Sequence, residues 1–200
     1  MKRRNPRQIV DSSDETVRIA VSRLGRKIYL YDEIDRHTVL EVVKYIDELE
    51  KESKKPVEIE INSEGGLCYD GMALYDRIRR SDCEINTIAT GLVGSMALVI
   101  YLAGDYRYIT ENCKILNHEG SDELEGKASA LKIGIEETLN LEEQLVSIIA
   151  ERTGLPEKKI KAEIKKGDDY IKPDRAIEEG FAHELIPNKR TRRRRRRIQK

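Results

Sequence analysis

Residues 87–104, Thr-Ile-Ala-Thr-Gly-Leu-Val-Gly-Ser-Met-Ala-Leu-Val-Ile-Tyr-Leu-Ala-Gly, constrain the fold of this chain more than any other stretch. A short run with β-branched residues, then Gly91 and Gly94, then an unbroken apolar run from Met96 to Ala103 predict a buried strand, a tight turn and a buried helix. Ser95 stands at the mouth of that helix, beside backbone N–H groups that have no partner within it and at the positive end of its dipole. Such a place suits a nucleophile whose product oxyanion needs stabilising. It equally suits a helix cap, because serine is a favoured N-cap residue. On this stretch alone both readings stand.

Strand and helix alternate along the rest of the chain. Residues 19–21 and 28–31 predict two short strands, and Val39, Leu40, Val42, Val43, Ile46 and Leu49 recur at helical spacing over residues 38–54. Thr38 and Glu41 fit a capping box at its start. Pro56 ends that helix, and residues 57–61 form a strand entering Asn62-Ser63-Glu64-Gly65-Gly66. A helix over 69–80, a strand over 85–90, the helix from Ser95, and strands over 106–109 and 114–117 follow. Residues 127–152 predict the longest helix, closed by Gly154. A shorter helix from Pro156, a turn or two over 173–179 and a strand over 182–186 complete the body. The connections are long enough for right-handed crossovers, so the class is α/β with a largely parallel sheet.

Charge divides the chain in two. Residues 189–200 carry nine basic side chains and no acid, leaving 28 basic against 37 acidic side chains in residues 1–188. An acidic body therefore precedes a strongly basic tail, and residues 1–17 predict a flexible, charged arm. The tail is expected to be disordered and solvated. Contact with nucleic acid is confined to it, and no aromatic residue is interleaved there for stacking on bases. Cys68, Cys83 and Cys113 are widely spaced and form no C-x-x-C pair, which argues against a disulfide framework or a zinc knuckle. Free thiols, no signal-peptide core and no apolar run of membrane-spanning length predict a cytoplasmic protein with no membrane segment.

A serine nucleophile needs a base, and the base needs an orienting group. Of the three histidines, His37 fits a surface or capping role and His183 falls in the last short strand. His118 follows the strand over 114–117, at the kind of strand end where parallel sheets place ligands. Ser95 follows another such end, and Gly65-Gly66 a third. The N–H groups of Gly66 and Met96 together would make an oxyanion hole. A plain strand-to-helix turn is the alternative use of the glycine pair. Among 37 carboxylates, Asp168 and Asp169 are distinguished only by the turn that Gly167 makes before them.

These residues resemble the proteolytic subunit of the ATP-dependent Clp protease. The resemblance rests on Ile61 through Gly66, on Gly71-Met72-Ala73-Leu74-Tyr75-Asp76, on Gly91 through Ala97, on His118, and on Asp168 through Ile171 with Ala176 through Phe181 behind them. It covers residues 18–188. It implies a ClpP/crotonase-like fold of repeated β-β-α units, with the helix over 127–152 as a protruding handle. It implies a triad of Ser95, His118 and Asp168, with the choice of Asp168 over Asp169 resting on the alignment. Gly66 and Met96 would bind the oxyanion, and substrate would lie along Gly65, Leu67, Cys68, Glu119 and Gly120. The implied protein is a serine endopeptidase without cofactor or metal. It would cleave unfolded polypeptides inside two stacked heptameric rings and be fed by a separate AAA+ unfoldase, since no G-x-x-x-x-G-K-[ST] is present.

This chain departs from the family in having Glu64 before the glycine pair, Glu119-Gly120 after the histidine, and the arginine tail. A phage-type maturation protease with a dedicated substrate, a non-catalytic ring subunit supporting an active paralogue, and an acyl-CoA enzyme of the crotonase group are the competing readings.

Overall fold

A computed structural model of the chain describes residues 19–22, 24–120 and 125–188. The expected arm over 1–17 and tail over 189–200 lie outside the described residues. In chain order the elements are β1 (Ile19–Ser22), β2 (Lys27–Leu30), α1 (Arg36–Glu52), β3 (Val57–Ser63), α2 (Cys68–Arg79), β4 (Ile85–Gly94) and α3 (Met96–Leu102). After these come β5 (Tyr106–Thr110), β6 (Lys114–Asn117), α4 (Ala128–Thr153), α5 (Glu157–Ile164), β7 (Asp169–Ile171), α6 (Pro173–Glu178) and β8 (Glu184–Ile186). The strands form one sheet in the order β1-β2-β3-β4-β5-β8, with β6 paired to β4 and β7 paired to β6. Among the described residues only β1–β2 and β6–β7 are antiparallel. The β-β-α unit is plain in β1-β2-α1 and β5-β6-α4, while α2 interrupts it between β3 and β4.

Burial along β3 alternates strictly, with Val57, Ile59, Ile61 and Ser63 buried and Glu58, Glu60 and Asn62 only half-buried. One sheet face thus packs on the helices, and Val42, Ile46 and Leu49 of α1 and Leu74 and Ile78 of α2 supply that layer. Burying a side chain of this kind is worth about 1.5–3 kcal/mol, which is why apolar spacing located these helices so closely. All seven residues of α3 are buried. It is the central helix of the core, as its unbroken apolar run requires.

Two local expectations are corrected. The cap of α1 is Asp35 with Thr38, the aspartate accepting from the Thr38 N–H and the Thr38 hydroxyl accepting from the Asp35 N–H. The shorter acid reaches its own N3 position, so the helix begins earlier than a Thr38–Glu41 pair would allow. The strand expected over 85–90 continues to Gly94. Gly91, at φ 59°, makes an irregularity that Asn62 fills, its side-chain oxygen accepting from the Leu92 N–H at 2.9 Å. Before this point β4 pairs with β5, and after it with β6. Asn62 also abuts Gly91 so closely that a side chain there would collide with it.

The C-terminal end of α4 is fastened by two arginines. Arg107 is 3% exposed and donates to the carbonyls of Phe181, Arg152 and Gly180, while Arg152 donates to those of Leu102 and Gly104. Burial and the neighbouring Arg152 charge push the Arg107 guanidinium down to about 10. Helix-end carbonyls thereby receive donors they would otherwise lack.

Candidate active site

The second half of β4 delivers the chain to Ser95 in a strained turn. Ser95 has φ 51° and ψ −126°, a left-handed-side conformation that side chains rarely adopt, and its hydroxyl makes no capping hydrogen bond. The cap reading therefore fails. A capping serine takes an extended conformation and bonds its oxygen to the first turn, whereas this one is held in strain with its Oγ unused by the helix. A serine presented on a sharp strand-to-helix turn is the geometry of a nucleophile elbow. Strain of this kind costs about 1–3 kcal/mol and persists only where packing imposes it. The packing here is evident: Val93, Gly94, Met96 and Ala97 are all buried.

Gly65 and Gly66 come against this turn, with φ 117° and 147°. A Cβ on Gly65 would lie 2.7 Å from Ser95 Cβ and 3.1 Å from the Met96 nitrogen, so only glycine permits the approach. On the other side Ile34 holds the loop, its N–H donating to the Gly65 carbonyl and its carbonyl accepting from the Leu67 N–H. The N–H groups of Gly66 and of Met96 donate to no other described residue. Two unused donors therefore flank the serine. The remaining predicted groove residues are placed as follows: Leu67 is exposed, Cys68 is the first residue of α2 and half-buried, and Glu119 and Gly120 are exposed beyond β6.

Strand pairing sets the relation of Ser95 to His118 and Asp168. β6 lies between β4 and β7, and Gly94 is in register with Leu116, whose carbonyl accepts from the Ser95 N–H at 3.0 Å. On the other side of β6, Asn117 is in register with Asp169. The ladder ends at this pair, and His118 and Asp168 are the next residues beyond it, one directly after β6 and the other directly before β7. Three neighbouring strand ends thus carry serine, histidine and aspartate in that order.

The side chains are less closely joined. His118 is half-buried, and its Nδ1 lies 2.7 Å from the Glu119 carbonyl. A carbonyl only accepts, so Nδ1 carries the proton and Nε2 is left as a base. No hydrogen bond among the described residues joins His118 to Ser95 or to Asp168, and Asp168 is exposed. Asp169 is held elsewhere, gripped by both terminal nitrogens of Arg175 at 2.5 and 2.9 Å. Among the described residues, Asp168 is the carboxylate of the pair with no ion pair to break. Arg175, six residues beyond Asp169, gave no signal in sequence spacing, and neither did the use of Asn62 to shape the turn. Among the described residues no group of His, Cys, Asp and Glu is placed to hold a metal ion, and no helix is long and apolar enough to cross a membrane.

Known proteins resemble this chain along most of its length. The sequence profile of the Clp protease family matches residues 12–189. The chain is 31% identical over 139 residues to an ATP-dependent Clp protease proteolytic subunit of Deinococcus radiodurans, covering 68% of each chain. It is 30% identical over 167 residues to proteolytic subunit 2 of Pseudomonas aeruginosa, covering 82% of this chain and 83% of that one. A solved structure of a point variant of ClpP1 from Listeria monocytogenes superposes with a TM-score of 0.76 at 27% identity, covering 84% of this chain and 95% of that one. With its strained serine, its glycine-flanked turn and its mixed α/β fold, this chain belongs to the Clp protease family of serine-type peptidases.

Proposed function

We propose that this protein is a serine endopeptidase whose residues 18–188 form the peptidase domain and whose triad is Ser95, His118 and Asp168. The observation that carries the assignment is the strained backbone of Ser95, with its hydroxyl uncommitted and Gly65 packed against it. In the reaction, His118 Nε2 takes the proton of Ser95 Oγ as the oxygen attacks the peptide carbonyl. The N–H groups of Gly66 and Met96 receive the oxyanion. His118 then gives its proton to the leaving amine. For this the imidazole exchanges the Glu119 carbonyl for the Asp168 carboxylate, which stabilises the imidazolium as a carbonyl cannot. Substrate lies extended along Gly65, Leu67 and Cys68 on one side and Glu119 and Gly120 on the other, adding to the backbone as a further strand.

Assembly belongs to the same proposal. Over its first half α4 exposes Ile135 and Leu139 along one face, and Ile133 on another, apolar side chains that a lone subunit would leave in water. Two stacked heptameric rings closed through these helices would enclose the active sites, and a separate AAA+ unfoldase would supply unfolded polypeptide. Three free thiols suit a cytoplasmic site of action.

The test is labelling with a fluorophosphonate, comparing wild type with Ser95→Ala, His118→Ala, Asp168→Ala and Asp169→Ala, alongside mass by light scattering. Labelling that vanishes in the first two and is cut far more by Asp168→Ala than by Asp169→Ala, in a particle near fourteen subunits, is the expected result. Labelling that survives Ser95→Ala overturns the nucleophile. An unlabelled wild-type ring would instead favour the non-catalytic subunit.

A further inference from the structure

A mostly parallel sheet ordinarily carries helices on both faces. Here the face opposite α1, α2 and α3 is open among the described residues. Strand registers place its side chains in rows. Lys27, Glu58, Asn86 and Tyr106 form one row; Tyr29, Glu60, Ile88, Tyr108 and Glu184 form the next. Tyr106 and Glu184 are exposed and the others, apart from Ile88, only half-buried. With Glu84 directly before β4, four carboxylates face one cation among the described residues, Lys27. Tyr108 feels this field: burial and the charges of Glu184, Glu58 and Glu84 push its phenol up.

Lys27 shows what the surface accepts. Its ammonium lies 2.6 Å from Glu60 and 3.5 Å from Glu58, and 5.5 Å over the ring of Tyr29. Carboxylates alternating with aromatic faces suit guanidinium groups still better, because the planar cation pairs with carboxylates by two hydrogen bonds and stacks on rings.

We propose that this open face is a docking surface for the chain's own C-terminal segment, residues 189–200. That segment carries nine basic side chains and no acid. It follows Asn188, two residues beyond β8, the strand that contributes Glu184, and Asn188 hydrogen-bonds Glu111 at the neighbouring end of β5. The nine residues from Asn188 to Arg197 reach up to about 30 Å when extended. The row from Glu184 to Glu60 crosses three strand spacings, about 14 Å. Reach, charge and ring chemistry therefore coincide on one surface, and occupancy of it would be sensitive to salt.

The experiment is tryptic removal of the tail from the full chain in a Ser95→Ala background, followed by mass spectrometry. At low ionic strength the tail of the parent should be cleaved about tenfold more slowly than that of Glu58→Gln/Glu60→Gln/Glu184→Gln, and 0.5 M salt should abolish the difference. A control, Glu157→Gln/Glu163→Gln/Glu178→Gln, removes the same charge from α5 and α6 and should stay protected. Because the triple variant could misfold, its thermal midpoint is compared with the parent's, and salt dependence is also read on the parent alone against a free peptide of residues 189–200. Equal cleavage of parent and triple variant, or equal salt dependence of parent and free peptide, overturns the proposal and leaves the tail open to a polyanion. Protection that grows with protein concentration also overturns it, in favour of a tail supplied by a second copy.

Discussion

The two ends of helix α4 obey opposite rules. At its C-terminal end Val146 and Ile149 are buried, Gly154 closes the helix at φ 80°, and Arg152 and Arg107 tie it to α3 and to the turn before β8. Toward its N-terminal end Ile133, Ile135 and Leu139 stand in the open. Ile135 and Leu139 continue the apolar stripe of Val146 and Ile149 past its buried part, which is the observation behind the proposed assembly. The closed end answers to folding, and under the proposed assembly the open end would answer to contacts between subunits. The Ser95 turn belongs with the closed end, since its strain is tolerable only inside dense packing.

Perturbing the closed side should therefore cost activity, stability or both, and perturbing the open side should cost association alone. The largest effect is expected from Ser95→Ala, which should lower cleavage of a fluorogenic peptide by at least about a thousandfold without lowering the thermal midpoint; a folded variant with near-parental turnover would remove Ser95 from the mechanism. Next comes Arg107→Leu, which orphans the carbonyls of Phe181, Gly180 and Arg152 in the interior. It should destabilise by about 3–5 kcal/mol in urea unfolding, and a loss below 1 kcal/mol would mean that water or Arg152 replaces it. Gly66→Ala places a Cβ 2.3 Å from the Ile34 carbonyl oxygen at φ 147°, and should cost about 2–4 kcal/mol together with most activity. On the open side, Ile135→Ser/Leu139→Ser should shift subunit stability by no more than about 0.5 kcal/mol, while reducing the particle mass seen by light scattering. If mass is unchanged, the exposed stripe is not an assembly surface.

A smaller effect concerns acid. Burial alone would raise the Glu50 carboxyl, but hydrogen bonds from Arg77 and Ser81 hold it below the usual range. A depressed carboxyl contributes stability that is present above its unfolded value, about 4.5, and lost as pH falls through its lower folded value. Glu50→Gln should accordingly flatten the acid limb of the stability profile, measured as urea midpoints between pH 6 and 3. An unchanged acid limb would show that other carboxylates govern it.

Most of the fold could be read from the chain because its signals are local. The spacing of Val39, Val42, Ile46 and Leu49 marks a helix face. Pro56 and Gly154 mark ends, and the apolar run from Met96 marks a helix buried all round. Each residue of the candidate site could be proposed from the family resemblance and from strand ends, yet the local geometry around it could not. Nothing in the spacing distinguishes a capping serine from a strained one, because φ at Ser95 is imposed by β6, by Gly65 and by the packing of Met96. Asp168 and Asp169 are equivalent in sequence, and Arg175 separates them in space.

The sequence by itself determined the order of strands and helices, the glycine positions where backbones approach, and the division into an acidic body and a basic tail, since propensity, periodicity and charge act over a few residues. Tertiary structure alone decided the turn of β4 from β5 toward β6, the alignment of three strand ends that puts His118 between Ser95 and Asp168, and the sheet face left uncovered. Those depend on pairing between segments distant in the chain, where register and packing choose among conformations that local preference leaves nearly equal.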